Sequence, residues 1–207
     1  MLILKQNLTE KLDEKRPRGR PQKFINDDAL HQAIEVFWTY GYEGTSLTNL
    51  TNALNMNRPS IYAAFGNKQA LFSLSLQTYI DEQLGFVDEA IKQNTLKEVI
   101  ETLFSKQIDL LTEKKRGCML VQAALSCAEE TQEIKNELTE QRKVLEGKLR
   151  KRFQMAQLKK DTASSESPAA AAKYITTIYH GLSVQAASGA TKKELIEVAE
   201  LAKKVLS

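Results

Sequence analysis

The sequence predicts an all-α protein, and three observations carry that expectation. Apolar residues recur three and four apart along most of the chain, whereas strict alternation is nearly absent. Only nine glycines and four prolines interrupt the 207 residues. Most of the periodic segments also open on a short polar side chain that suits a helix N-cap.

Residues 1–24 come first, as a polar arm. Within it Lys15-Arg16-Pro17-Arg18-Gly19-Arg20-Pro21-Gln22-Lys23 holds no acidic residue. Asn26-Asp27-Asp28 then offers a cap, and negative charge where a helix dipole is positive, for a first helix. Leu30, Ala33, Ile34, Phe37 and Trp38 make its buried stripe, and Gly41 is its expected stop. Thr45 is the expected cap of a second helix carrying Leu47, Leu50 and Leu54. In the turn that follows, Asn55 tolerates a positive φ and Met56 fills an apolar position. Asn57 caps the third helix, and Pro59 fits its first turn, where a missing N–H costs little.

Asn67 caps a fourth helix from Lys68, with Leu71, Phe72, Leu74, Leu76, Tyr79 and Ile80 mostly apolar. Helices are then expected over 95–114, 117–129 and 131–158. The second of these is apolar almost all round and should be buried. After a polar break at Asp161 to Ser167, Pro168 opens an alanine-rich helix with Ile175, Ile178, Tyr179 and Leu182 on one face. Thr191-Lys192-Lys193-Glu194 is a capping box for a last helix with Leu195, Val198, Ala199, Ala202 and Val205 on its inner side.

Composition narrows the function classes. Apolar content of 42% and charged content of 27% are ordinary for a soluble globular protein. No apolar run approaches the roughly 20 residues of a membrane span, so no membrane partner and a cytoplasmic location are expected. Cys118 and Cys127 are too few for a disulfide framework and lack zinc spacing. On one helix they would lie roughly 13 Å apart on nearly opposite sides, out of reach of each other. His31 and His180 are the only histidines, with no nucleophile, metal set or phosphate loop beside them. Neither an enzyme nor a cofactor is expected.

The strongest functional signal runs from Asn57 to Lys68: Asn-Arg-Pro-Ser-Ile-Tyr-Ala-Ala-Phe-Gly-Asn-Lys. A capped apolar helix, a short turn and this segment make a helix-turn-helix, whose second helix enters the major groove of double-stranded DNA. Ile61 and Phe65 sit four apart and face the core. Ser60, Ala63 and Ala64 fall on other faces, and their small size lets a helix approach base edges closely. Arg58 is the expected specific contact, because its fork matches guanine O6 and N7. Pro59 adds apolar contact and Ser60 a hydrogen bond. Thr45, Ser46 and Thr48 are candidates for phosphate from the second helix. In the arm, Arg18 and Arg20 flank a glycine as in an AT-hook core. They suit a narrow A·T minor groove, or else a basic tail with nonspecific attraction only.

Phe37, Gly41-Tyr42, Thr45, Leu50, Tyr62, Phe65, Lys68 and Leu71-Phe72 together resemble the signature of the TetR family of bacterial transcriptional regulators. Beyond about residue 76 the match is one of layout. The resemblance implies a homodimeric DNA-binding regulator, most often a repressor, released from its operator by a small molecule. It implies an arm at 1–24, a three-helix DNA reader at 25–67, and an effector-binding and dimerisation domain at 68–207. It also implies phosphate contacts from Tyr62 and Lys68, which suits a phenol and an ammonium beside a helix N-terminus. Two positions depart from the family pattern. Asn55 stands where glycine is usual, which alters little. Ala64 stands where His or Tyr often precedes the signature Phe, which removes a contact.

For the sensor half, aromatic and polar residues on facing helices are the effector candidates: Tyr79, Phe104, Ile108, Met119 and Gln122, with Phe86 and Leu125 beside them. Ordinary core packing is the competing reading for each. Gln122 stands out, since an amide inside an apolar helix requires a partner. The last two helices, at 168–206, are expected to pair with those of a second copy as a four-helix bundle, helped by Gly181 and several alanines. Two readers would then sit about 34–36 Å apart on a near-palindromic site. The alternatives are a DNA-organising protein without sequence choice and a regulator that responds through its thiols.

Overall fold

The structure is a computed structural model and describes residues 22–114, 117–125, 132–162 and 165–205. Arg18, Arg20 and Cys127 lie outside the described residues. Among the described residues all regular structure is helical. The helices are α1 (Gln22–Gly44), α2 (Leu47–Leu54), α3 (Arg58–Phe65), α4 (Lys68–Gln83) and α5 (Phe86–Ile91), then α6 (Leu96–Lys114), α7 (Met119–Leu125), α8 (Gln132–Leu158), α9 (Pro168–Ala187) and α10 (Lys192–Val205).

The first helix begins earlier than its expected cap. It starts at Gln22, and no glycine or proline between Gln22 and Asp28 interrupts it. Gly41 does break it: at φ 67°, ψ 178° the backbone leaves the helix, and a further turn carries on to Gly44.

The cap of α2 is Ser46, not Thr45. The Thr45 hydroxyl is buried and donates to the Gly41 carbonyl at 2.6 Å, so it closes the kink instead. Ser46 Oγ accepts from the Asn49 amide at 3.1 Å, and Asn49 Oδ1 accepts from the Ser46 amide at 2.9 Å. This is a capping box with asparagine in the place of the usual Glu or Gln.

The turn between α2 and α3 is as expected. Asn55 adopts φ 50°, ψ 42°, and Asn57 Oδ1 accepts from the Ser60 amide at 2.8 Å. Asn67 repeats the device for α4, accepting from the Ala70 amide at 2.8 Å.

Helix α5 was not apparent in the periodicity. It spans only six residues, set off from α4 by Leu84 and Gly85, and buries Val87 and Ala90. Helix α7 begins at Met119, with Cys118 before it accepting from the Gln122 amide at 2.9 Å. Gly117 makes this junction possible. Its φ is 72°, and a Cβ there would stand 2.7 Å from the Ser183 carbonyl oxygen of α9. The inner row of α10 is Leu195, Ala199 and Ala202, whereas Val198 is 44% exposed, contrary to expectation. With Val198 on the outer side are Ile196 and Leu201.

Buried side chains form one contiguous cluster from Ala29 to Ala202. Helix α1 packs on α2, α4 and α7, and α8 packs along α9. One buried polar bond crosses the larger unit, from Gln107 Nε2 of α6 to Ser183 Oγ of α9 at 2.9 Å. Asp161, after α8, accepts from the Leu96 amide at 2.7 Å and so closes the start of α6.

Candidate nucleic-acid interface

Helix α3 is anchored by one stripe and exposed on the rest. Ile61 and Phe65 are buried, while Arg58, Pro59, Ser60, Tyr62 and Ala63 are exposed. Ala64, expected to be free for the groove, is half-buried and packs against the core. Its methyl therefore supports the helix from below. Neither α2 nor α3 carries an acidic residue, so no carboxylate on these helices opposes a phosphate backbone.

Around this row the other predicted residues divide. Ser46 and Thr48 are exposed at the start of α2, the end away from the turn that leads to α3. Thr45 is buried with its hydroxyl committed to Gly41, so its side chain holds the kink and is unavailable to phosphate.

Lys68 begins α4, with its Nζ 4.4 Å from the centre of the Tyr42 ring. Tyr42 in turn meets Phe72 edge-on at 5.1 Å and stacks on Phe37 at 6.4 Å. This aromatic group holds the ammonium at the head of the helix. Partial burial pushes the Lys68 pKa down, while Glu43 nearby pulls it up. The role of Tyr42 as a platform was not foreseen; the Gly41-Tyr42 pair at the kink was the available signal.

The effector candidates are not brought to one cavity. Tyr79 and Met119 are core residues: the Tyr79 hydroxyl donates to Cys118 Sγ at 3.5 Å and accepts from the Met119 amide at 3.4 Å. Phe104 and Ile108 border a recess of about 610 Å³ between α6 and α10, among Glu101, Asp109, Lys192 and Lys203. Gln122 is half-buried, with its amide near Gly117.

A different recess, open to solvent and of about 540 Å³ with the solvent at its mouth included, lies where α4, α7, α8 and α9 converge. Ile80, Leu84, Leu120, Val121 and Leu145 give it apolar walls, and Arg142, Tyr179 and His180 its polar groups. Burial, with Arg142 and Lys173 adding to it and Glu146 opposing, lowers the His180 pKa to about 4. The imidazole is therefore neutral near pH 7. Cys118 also borders this recess. Burial pushes its thiol pKa up, so it is protonated, which does not favour reactivity as a thiolate.

Among the described residues no His, Cys, Asp and Glu group can hold a metal, and no helix is long and apolar enough to cross a membrane.

Residues 29–73 match the family model described as bacterial regulatory proteins, tetR family. The chain is 28% identical over 189 residues to the HTH-type transcriptional repressor ComR of Escherichia coli (strain K12), covering 89% of this chain and 90% of ComR. It is 33% identical over 131 residues to the HTH-type transcriptional regulator YezE of Bacillus subtilis (strain 168), covering 62% and 68% of the two. Among solved structures, a cysteine variant of the TetR family transcriptional regulator CifR, complexed with 26-base-pair double-strand operator DNA, superposes with a TM-score of 0.84. That match is 32% identical and covers 91% of this chain and all of that one. These relatives are transcriptional regulators rather than enzymes, as the residues led one to expect. With the exposed row of α3 in place and kinship over nearly its whole length, the chain belongs to the TetR family of DNA-binding transcriptional regulators.

Proposed function

We propose that the protein is a repressor that binds a near-palindromic operator as a homodimer and leaves it when a small molecule occupies the larger helical unit. The observation that carries this reading is the exposed series Arg58, Pro59, Ser60, Tyr62 and Ala63 above the buried pair Ile61 and Phe65. In this reading residues 25–67 are the reader, with the 1–24 arm adding Arg18 and Arg20. Residues 68–207 sense and dimerise. Arg58 and Ser60 contact base edges, and Ser46, Thr48, Tyr62 and Lys68 contact phosphates. The repressor named ComR and the operator complex of CifR support both the sign of regulation and the partner.

For the dimer, the support is a set of exposed apolar side chains on the last two helices. Val184 of α9 and Ile196, Val198 and Leu201 of α10 are 36% to 64% exposed. Pairing of residues 168–206 with a second copy covers them.

For release, the lever is α4, which starts at Lys68 and is held by α8 through two bonds. Gln69 Nε2 donates to Glu133 and Ser73 Oγ to Glu137, each at 2.6 Å. A ligand that shifts α8 against α4 thus acts on the reader spacing, with a coupling expected at about 1–3 kcal/mol.

The test is selection of duplexes from a random library, then titration of the selected duplex against random competitor. A near-palindromic consensus bound by two chains is the expected result. Equal affinity for selected and random DNA, or binding by a single chain, rejects the reading.

A further inference from the structure

The recess at α4, α7, α8 and α9 shows a chemical bias that the walls alone do not explain. Two cations border it, Arg142 and Lys148, and among the described residues no carboxylate does. Lys148 is already paired with Asp88 of α5. Arg142 has no carboxylate partner among the described residues, and its buried Nε makes no hydrogen bond. Tyr179, only 3% exposed, likewise carries a buried hydroxyl without a hydrogen-bond partner. Both residues border the same recess, and each carries its orphan donor just behind the recess wall. A native interior seldom leaves two such donors unmatched beside an apolar cavity.

We propose that this recess takes a small organic acid, its apolar body against Ile80, Leu84, Val121 and Leu145 and its carboxylate at Arg142 and Tyr179. The inference rests on the reading of the protein as an effector-released regulator and names the class of effector. A guanidinium fork suits a carboxylate, and desolvation by the apolar walls strengthens the pair. His180 stands beside Arg142 on the same wall, and its neutral imidazole offers an N–H donor without adding a charge. A cationic ligand meets Arg142 and Lys148 with nothing to offset them. A neutral one leaves the Arg142 charge unpaired.

The experiment compares octanoate, octan-1-ol and octylamine by calorimetry on the full-length protein, without DNA. Octanoate is expected to bind at least tenfold more tightly than octan-1-ol, and octylamine more weakly than either. Arg142→Gln should abolish the advantage of octanoate while octan-1-ol still binds at least as tightly as before, which also shows that the variant retains the recess. Tyr179→Phe should reduce the same advantage by a smaller factor. Equal affinity for octanoate and octan-1-ol, or an advantage that survives Arg142→Gln, overturns the proposal. A parallel titration of the selected duplex separates the two readings. If the duplex is bound specifically but octanoate is not preferred, the acid fails and the regulator stands. If no duplex is preferred, the regulator fails, and the calorimetry still decides whether the recess binds acids.

Discussion

Trp38 of α1 and Tyr79 of α4 meet edge to face, with ring centroids 5.1 Å apart and planes inclined at 72°. The Tyr79 hydroxyl continues the contact into the start of α7, at Cys118 and Met119. One side chain thus joins α1, on which α2 packs, to the start of α7 beside the recess. Because the site is buried, its donors and acceptors are sensitive to single-atom changes.

Tyr79→Phe keeps the ring and removes only the hydroxyl, so the Met119 N–H loses this acceptor. Unfolding free energy should fall by about 1–2 kcal/mol. Tyr79→Ala removes the ring as well and should cost about 3–5 kcal/mol. Urea unfolding at one fixed protein concentration checks both, through a shifted midpoint at unchanged slope. A Phe variant as stable as the parent means that the hydroxyl contributes no net stability.

The caps at Asn57, Asn67 and Thr191 were legible because each acts on an amide three residues away. Their chemistry is complete within a four-residue window. Thr45 and Ser46 could not be separated that way, since either hydroxyl caps a helix; the kink at Gly41 decides by claiming Thr45. The recess was illegible for a stronger reason. Arg142 sits in the charged run of α8 and reads as a surface residue, while Tyr179 and His180 read as helix filler. Only the packing of α8 along α9 places them on one wall. Phe104 and Tyr79 are both buried, Phe104 at the edge of the recess between α6 and α10 and Tyr79 in the core.

Acid should reveal His180. Its pKa is 6.5 in the unfolded chain and about 4 in the fold, so between these values the unfolded state binds more protons. Stability contributed by the neutral imidazole is present above pH 6.5 and is lost as pH falls towards 4. His180→Gln should flatten the stability profile over that window without abolishing the acid unfolding caused by carboxylates. Thermal midpoints measured at half-unit steps from pH 7.5 to about 4 compare the two proteins. Parallel profiles for parent and variant would show that the imidazole is not kept neutral by the fold.

Two glycines should respond in opposite ways. Gly117→Ala meets a φ of 72° and the Ser183 carbonyl at 2.7 Å, and should destabilise by about 2 kcal/mol or more. Gly181 lies inside α9, where a Cβ meets nothing within 4 Å of the same chain. Alanine there gains helix propensity of about 0.5–1 kcal/mol. If α9 packs closely on a second copy, the same methyl weakens the dimer. Sedimentation equilibrium on a dilution series should show a looser dimer for Gly181→Ala, with no loss of helix content. An unchanged dimer constant moves the interface away from this position.

Arg58 and Lys68 test how the reader divides its labour. Arg58 is exposed at the first turn of α3, where its fork can reach a base edge, whereas Lys68 is held at the head of α4 over Tyr42. Arg58→Ala should cost about 1–3 kcal/mol on the selected duplex and relax preference at one base pair of each half-site. Lys68→Gln should weaken binding to all duplexes by a similar factor. It should also lower the dependence of log affinity on log salt by about one per chain, since one phosphate contact is lost. Titrations at several salt concentrations, on the selected duplex and on single-base variants of it, separate the two signatures. If Arg58→Ala shifts the salt slope and leaves base preference intact, Arg58 is a phosphate ligand, and direct readout must come from Ser60 and the Ala63 methyl.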